Sequence, residues 1–218
     1  MFKGIIEGLG SVTHLHRSGK SMRMSVVSDF DLDGTNIGDS IAVNGVCLTA
    51  VRIHGRQFDV DIAPETVSNT VFQYIQSNER VNLERAMRLS DRIDGHLVSG
   101  HVDGLGKILD RKNQDNAVII KISTHPDVCR YMIHKGSVAV DGISLTINRL
   151  EKDSFYLSII PHTATMSTIG FKPVGQWVNI ETDMIGKYVE RLMIPQKKSS
   201  SLSNQAGIDK AFLAKHGF

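Results

Sequence analysis

The residue types in this chain that could carry chemistry gather in a few places. The segment Asp94 to Asp103, DGHLVSGHVD, is the densest polar cluster in an otherwise apolar sequence, and it holds His96 and His101. An imidazole with an ordinary pKa of about 6.5 can take or give a proton near neutral pH. As metal ligands the two are poor, because a five-residue spacing on a strand puts them on opposite faces and no third ligand lies nearby. A lone histidine is more often structural than catalytic. His101 rises above that reading because it is expected to start a strand whose equivalent in an earlier stretch carries the apolar Ile5.

Cys47 and Ser144 make a second pair: each precedes an identical Leu-Thr, so a thiol and a hydroxyl stand at one equivalent place. Both residue types can act as nucleophiles, although a small residue packed between strands is the plain alternative. Glu65 and His162 are a third substituted pair, within Pro-Glu-Thr and Pro-His-Thr, where the proline ends a strand and exposes backbone groups able to grip a flat heterocycle. Thr66 and Thr163 suit the turns that follow.

These pairs exist because the chain is a duplication. Ser40 to Thr49, SIAVNGVCLT, recurs as Ser137 to Thr146, SVAVDGISLT, with Gly45 answered by Gly142, 97 residues on. FDVDIAPET answers FYLSIIPHT and VNLE answers VNIE at the same spacing, while GIIEGLG answers GHVDGLG at 96. The copies should therefore differ by one residue in a loop between Gly106 and Ser137. A repeat of this kind fixes the architecture before any motif does.

Within each copy the apolar period is two, as in Phe58, Val60, Ile62 and Phe155, Leu157, Ile159, which predicts short strands. Asn44-Gly45 and Asp141-Gly142 between apolar runs predict tight hairpins. About six short strands per copy are best closed into a barrel, since closure removes exposed edges, with a sandwich as the alternative. The expected class is all-β: two tandem six-stranded Greek-key barrels, over 1–93 and 94–182, plus a C-terminal helix over 183–195. A helix is also expected after Thr124-His125-Pro126, with Thr124 as its cap. In the C-terminal helix Ile185, Tyr188, Val189 and Leu192 form one apolar stripe, which suits either docking on the second barrel or oligomerisation. The polar KKSSSLSNQ and the run around Ile208, Phe212 and Leu213 make 196–218 a tail expected to be poorly ordered.

Composition narrows the function. Hydrophobic residues at 41% and charged residues at 22% describe a globular chain, and 25 basic against 23 acidic residues leave no basic face for nucleic acid. No apolar run suits a membrane span and no leader pattern opens the chain, so the cytoplasm is expected, with Cys47 and Cys129 reduced. The glycine pairs Gly8, Gly10 and Gly104, Gly106 lack the third glycine of a nucleotide loop. Aromatics at 6% disfavour a sugar- or oligonucleotide-binding barrel.

Taken together, MFKGII, GDSIAVNGVCLT, VNLERA, GHLVSGHVDG, KGSVAVDGISLT and VNIE strongly resemble the riboflavin synthase family, from Met1 to about Arg191. The resemblance implies dismutation of two 6,7-dimethyl-8-ribityllumazine molecules by transfer of a four-carbon unit. The products are riboflavin and 5-amino-6-(D-ribitylamino)uracil, and no cofactor or metal is needed. It further implies a homotrimer gathered by the C-terminal helices, with lumazine synthase as a further partner. Carried onto this sequence, the pocket of copy one would use Gly4, Ile5, Ile6, Cys47, Leu48, Thr49, Asp61, Ile62, Ala63, Pro64, Glu65 and Thr66. That of copy two would use Gly100, His101, Val102, Lys135, Ser144, Leu145, Thr146, Ser158, Ile159, Ile160, Pro161, His162 and Thr163. His101, Cys47, Ser40, Ser144 and Asp141 are the expected catalytic set, with His101 and Ser144 serving one ring and Cys47 and Ser40 the other. A non-catalytic lumazine or flavin binder on the same duplicated barrel is the competing reading.

Overall fold

In a computed structural model, which describes residues 1–193, the chain forms two closed six-stranded antiparallel barrels. The first contains β1 (Gly8–Ser18), β2 (Ser21–Ser28), β3 (Ser40–Val43), β4 (Val46–His54), β5 (Gln57–Ile62) and β6 (Arg80–Arg85). The second contains β7 (Gly104–Gln114), β8 (Ala117–Thr124), β9 (Ser137–Val140), β10 (Ile143–Leu150), β11 (Ser154–Ile159) and β12 (Trp177–Thr182). Round the first barrel the strands neighbour one another as β1-β2-β5-β4-β3-β6, and the second repeats that order.

The alternation seen in the sequence places the cores. Phe58, Val60 and Ile62 of β5 are buried in one barrel, and Phe155, Leu157 and Ile159 of β11 in the other. Both hairpin tips take positive φ at their two central residues, 47° and 77° at Asn44 and Gly45, 46° and 81° at Asp141 and Gly142. That is the conformation of a tight turn whose twist matches its strands. The one-residue difference between copies falls between β8 and β9, since β1 and β2 lie 96 residues before β7 and β8 while β3 lies 97 before β9. Barrel two there holds helix α2 (Pro126–Cys129).

Two local expectations are corrected. The cap of α2 is His125, whose side chain accepts from the Asp127 amide at 3.3 Å; the Thr124 hydroxyl instead donates to the Leu105 carbonyl at 2.9 Å. Pro64 and Pro161 do not leave strand ends open but begin short helices, α1 (Pro64–Asn69) and α3 (Pro161–Met166), each followed by a 3₁₀ turn. Proline suits a first helical position because it lacks an N–H that would have no partner there.

The barrels meet through equivalent residues, as about a two-fold axis. Phe2 and Val98 exchange amide bonds of 2.8 and 3.1 Å, and with Ala42 and Ala139 they form a small buried cluster. The tips Gly45 and Gly142 abut so closely that a Cβ on Gly45 would fall 2.5 Å from the Gly142 nitrogen. Beside them Asn82 donates to the Asp141 carbonyl at 2.9 Å and accepts from the Thr168 amide at 2.8 Å, while Asn179 does the same with Asn44 and Val71, both at 2.8 Å.

Helix α4 (Met184–Met193) follows β12, and its stripe Ile185, Tyr188, Val189 and Leu192 is exposed. The expected tail 196–218 lies outside the described residues. Among the described residues no helix is long and apolar enough to cross a membrane.

Candidate functional site

The segment before the first strand of each copy leaves its own barrel and lies against the other. The Gly4 carbonyl accepts from the Ser144 amide of β10 at 2.7 Å, and the Gly100 carbonyl accepts from the Cys47 amide of β4 at 2.9 Å. Both glycines have positive φ, 72° and 82°, and a Cβ would fall 2.7 Å from the Ser144 Cβ or 2.5 Å from the Cys47 Cβ. Only glycine lets the backbone approach that closely in this conformation.

The expected grouping of residues is therefore exchanged. Gly100, His101 and Val102 line a cavity of about 290 Å³ with Val46, Cys47, Glu65, Thr66, Asn69 and Thr70, all from copy one. Gly4, by contrast, sits on Ser144, and Ile6 packs on the core of barrel two. Equivalence in a repeat gives matching positions, not which barrel a crossing segment serves. Nor do His96 and His101 lie on a strand, because β7 begins only at Gly104. The amides of Ser99 and Gly100 bind the Glu181 carboxylate at 2.7 and 2.9 Å instead of a strand ladder.

The remaining copy-one residues divide between places. Asp61, Ile62, Ala63 and Pro64 border a second cavity of about 690 Å³ with His16, Ser18, Ser21, Met22 and Arg23, where Arg23 holds Asp61 in a two-bond ion pair. On β4 the pleat turns Leu48 into the core, while Cys47 is half-buried and Thr49 exposed. Ser40 lies apart from Cys47, in a cavity of about 770 Å³ with Lys3, Glu7, Arg85, Arg88 and Arg92 among its walls. The expected pairing of Ser40 with Cys47 is not formed within the chain.

In copy two, Leu145 packs against the barrel core, Thr146 is exposed, and Ser158, Ile159, Ile160, Pro161, His162 and Thr163 run from the end of β11 into α3. Lys135 is exposed with φ of 64°, where the equivalent residue of copy one is Gly38. Asp141 does not belong with a reactive set. It is fully buried, accepting from the Asn179 amide at 2.8 Å and pairing with Lys172 at 2.6 Å, so both its oxygens serve the turn.

His96, set aside from sequence, is the group the structure adds. Its Nδ1 lies 2.7 Å from Ser144 Oγ, and its Nε2 is buried with no partner among the described residues. Burial pushes the imidazole below its usual pKa, and the nearby Asp183 carboxylate opposes that only in part. With the proton on Nε2, Nδ1 accepts from the serine hydroxyl, which is the arrangement of a base and the group it activates. Asp183 was legible as a substitution, since its equivalent in copy one is Ala86. His101 shares the cavity of Cys47 and is itself exposed.

Comparison with known proteins agrees with the duplicated two-barrel fold. The lumazine binding domain family matches residues 3–86 and again 99–183. Riboflavin synthases of Actinobacillus pleuropneumoniae and Bacillus subtilis are 40% and 42% identical over 218 residues, covering all of this chain and all of each relative. A riboflavin synthase of Mycobacterium tuberculosis is 42% identical over 88% of this chain and 98% of its own. Crystal structures of LumP complexed with 6,7-dimethyl-8-(1'-D-ribityl) lumazine and with riboflavin share the fold at TM-scores of 0.75 and 0.77. Each is 23% identical and covers 84% of this chain and 99% of the other.

Proposed function

The chain belongs to the riboflavin synthase family, and from that premise we propose that it converts two molecules of 6,7-dimethyl-8-ribityllumazine into riboflavin and 5-amino-6-(D-ribitylamino)uracil. The observation that carries the reading is the exchanged pair of sites, Cys47 with Gly100 and Ser144 with Gly4, built alike but carrying different reactive groups. Two identical substrates call for two matched pockets, and transfer of a four-carbon unit between them makes the two halves unequal. The reaction gains and loses no atoms, so it calls for no redox partner.

The donor lumazine is acidic at its 7-methyl group, because the carbanion spreads into the ring, and a neutral histidine is base enough. We assign that proton to Ser144 and His96, whose imidazole is kept neutral by burial. The acceptor ring lies against Cys47, Thr66 and His101, where the thiol assists addition at C7 and His101 exchanges the proton. Holding the two rings in contact supplies most of the acceleration, since effective molarities of about 10⁵ to 10⁸ M are reached by orientation alone. The two rings come from neighbouring chains of a homotrimer, for which the exposed stripe of α4 supplies apolar surface. The cytoplasm is the proposed location, and lumazine synthase is proposed as the supplier of substrate.

Incubation of the purified protein with the lumazine alone tests this. Riboflavin and the uracil product in equal amounts are expected; lumazine bound but unchanged would overturn it in favour of a binder.

A further inference from the structure

Each segment that completes a site is also held at its root by a buried carboxylate of its own barrel. Glu84, the fifth residue of β6, accepts from the Lys3 amide at 2.7 Å and the Gly4 amide at 3.0 Å, one on each oxygen. Its equivalent on β12, Glu181, accepts from the Ser99 amide and the Gly100 amide in the same way. Both carboxylates are almost wholly buried, at 1% and 4% exposure. Placing a carboxylate there is costly, and a neutral side chain would pin a loop more cheaply. Two acceptor oxygens on successive amides fix both the direction and the rotation of the segment, which a glutamine, with an N–H facing one of the amides, would not do.

We propose that Glu181 and Glu84 are positioning residues, each rooted in one barrel and holding a leading segment against the reactive strand of the other. Glu181 sets Gly100 and His101 on Cys47; Glu84 sets Gly4 on Ser144. The two latches differ where the segments differ. Ser99 stands where copy one has Lys3, and its hydroxyl donates to Glu181 Oε1 at 2.7 Å while accepting from the His101 amide at 3.2 Å. A chain of two hydrogen bonds thus runs from the buried carboxylate to the backbone of His101, the residue of this segment that shares the Cys47 cavity. The counterpart segment, with Lys3 and Ile5, has neither the hydroxyl nor the imidazole. The inference rests on the function proposed above for its meaning, but not for its test.

The test is the crossed effect on the Cys47 thiol, read by iodoacetamide labelling of the full chain and peptide mass spectrometry. Cys129, buried in barrel two, is the internal control. Because a hydrogen bond to a charged group is among the stronger ones, Glu181→Gln should raise the labelling rate of Cys47 on the order of tenfold. Glu84→Gln, whose latch serves the other site and reaches this one only through the Phe2 and Val98 amide bonds, should raise the Cys47 rate by about threefold at most. Equal acceleration by both variants, or none by a folded Glu181→Gln, would overturn the latch. Should Glu181→Gln fail to fold, Ser99→Ala, which removes one bond to Oε1 and the link to His101, carries the test with about threefold expected; no change there would overturn it equally. The labelling uses no substrate, so a chain that fails to convert the lumazine leaves this result readable.

Discussion

His96 Nδ1 and Ser144 Oγ lie 2.7 Å apart although 48 residues separate them, and the pair sits where the Gly4 backbone crosses from the other barrel. The equivalent place in copy one holds Cys47, with His101 beside its cavity instead of bonded to it. The two sites are thus alike in frame and different in chemistry.

If His96 and Ser144 act as one unit, His96→Gln and Ser144→Ala should each lower kcat by about a hundredfold or more, and the double variant little further. Burial holds the His96 imidazole below the ordinary histidine value, so its neutral form persists to lower pH. The acid limb of kcat/KM should accordingly fall below about 6.5 and vanish in His96→Gln. Stopped-flow absorbance across a pH series checks both; additive losses in the double variant would separate the two residues.

Cys47→Ser and His101→Ala should each cost about tenfold or more in turnover while sedimentation shows an unchanged assembly. Full turnover in both would remove copy one's cavity from the chemistry.

Burial raises Glu84 to about 7 against the pull of its amide donors and of Lys3. A carboxyl that holds its proton more tightly folded than unfolded stabilises the fold most below its unfolded value, and that contribution is lost as pH rises through about 7. Between about pH 4.5 and 7 the loss is on the order of 3 kcal/mol. Urea midpoints over this range should fall less steeply with pH in Glu84→Gln than in the unaltered chain; parallel slopes would contradict it.

The Asp141 and Lys172 pair marks a difference between copies that is structural, since copy one has Asn44 and Ile75 in their places. Asp141→Asn alone strands a buried ammonium and should cost about 3 to 5 kcal/mol in urea unfolding. Adding Lys172→Ile, which restores the copy-one pair, should recover most of that.

The repeat, the period-two strands and the hairpin tips were legible because each is written within a few residues: Asn44-Gly45 tolerates positive φ wherever it stands. The one-residue difference between copies also located the connection that holds α2. What the sequence hid is what depends on long-range placement. The six-residue α1 is too short to show a helical period, so Pro64 reads as a strand end. The exchange of Gly4 and Gly100 between barrels leaves no local trace, because both assignments preserve the same spacing. His96 looked like a lone histidine for the same reason, its partner lying on β10.

In the proposed reaction two copies of one lumazine are brought together and a four-carbon unit passes between them. Equal parts of unlabelled lumazine and lumazine with heavy carbon in the transferred positions should give riboflavin that is unlabelled, half-labelled and fully labelled in a ratio of about 1:2:1 by mass spectrometry. Riboflavin with no half-labelled species, or no riboflavin at all, would contradict the account.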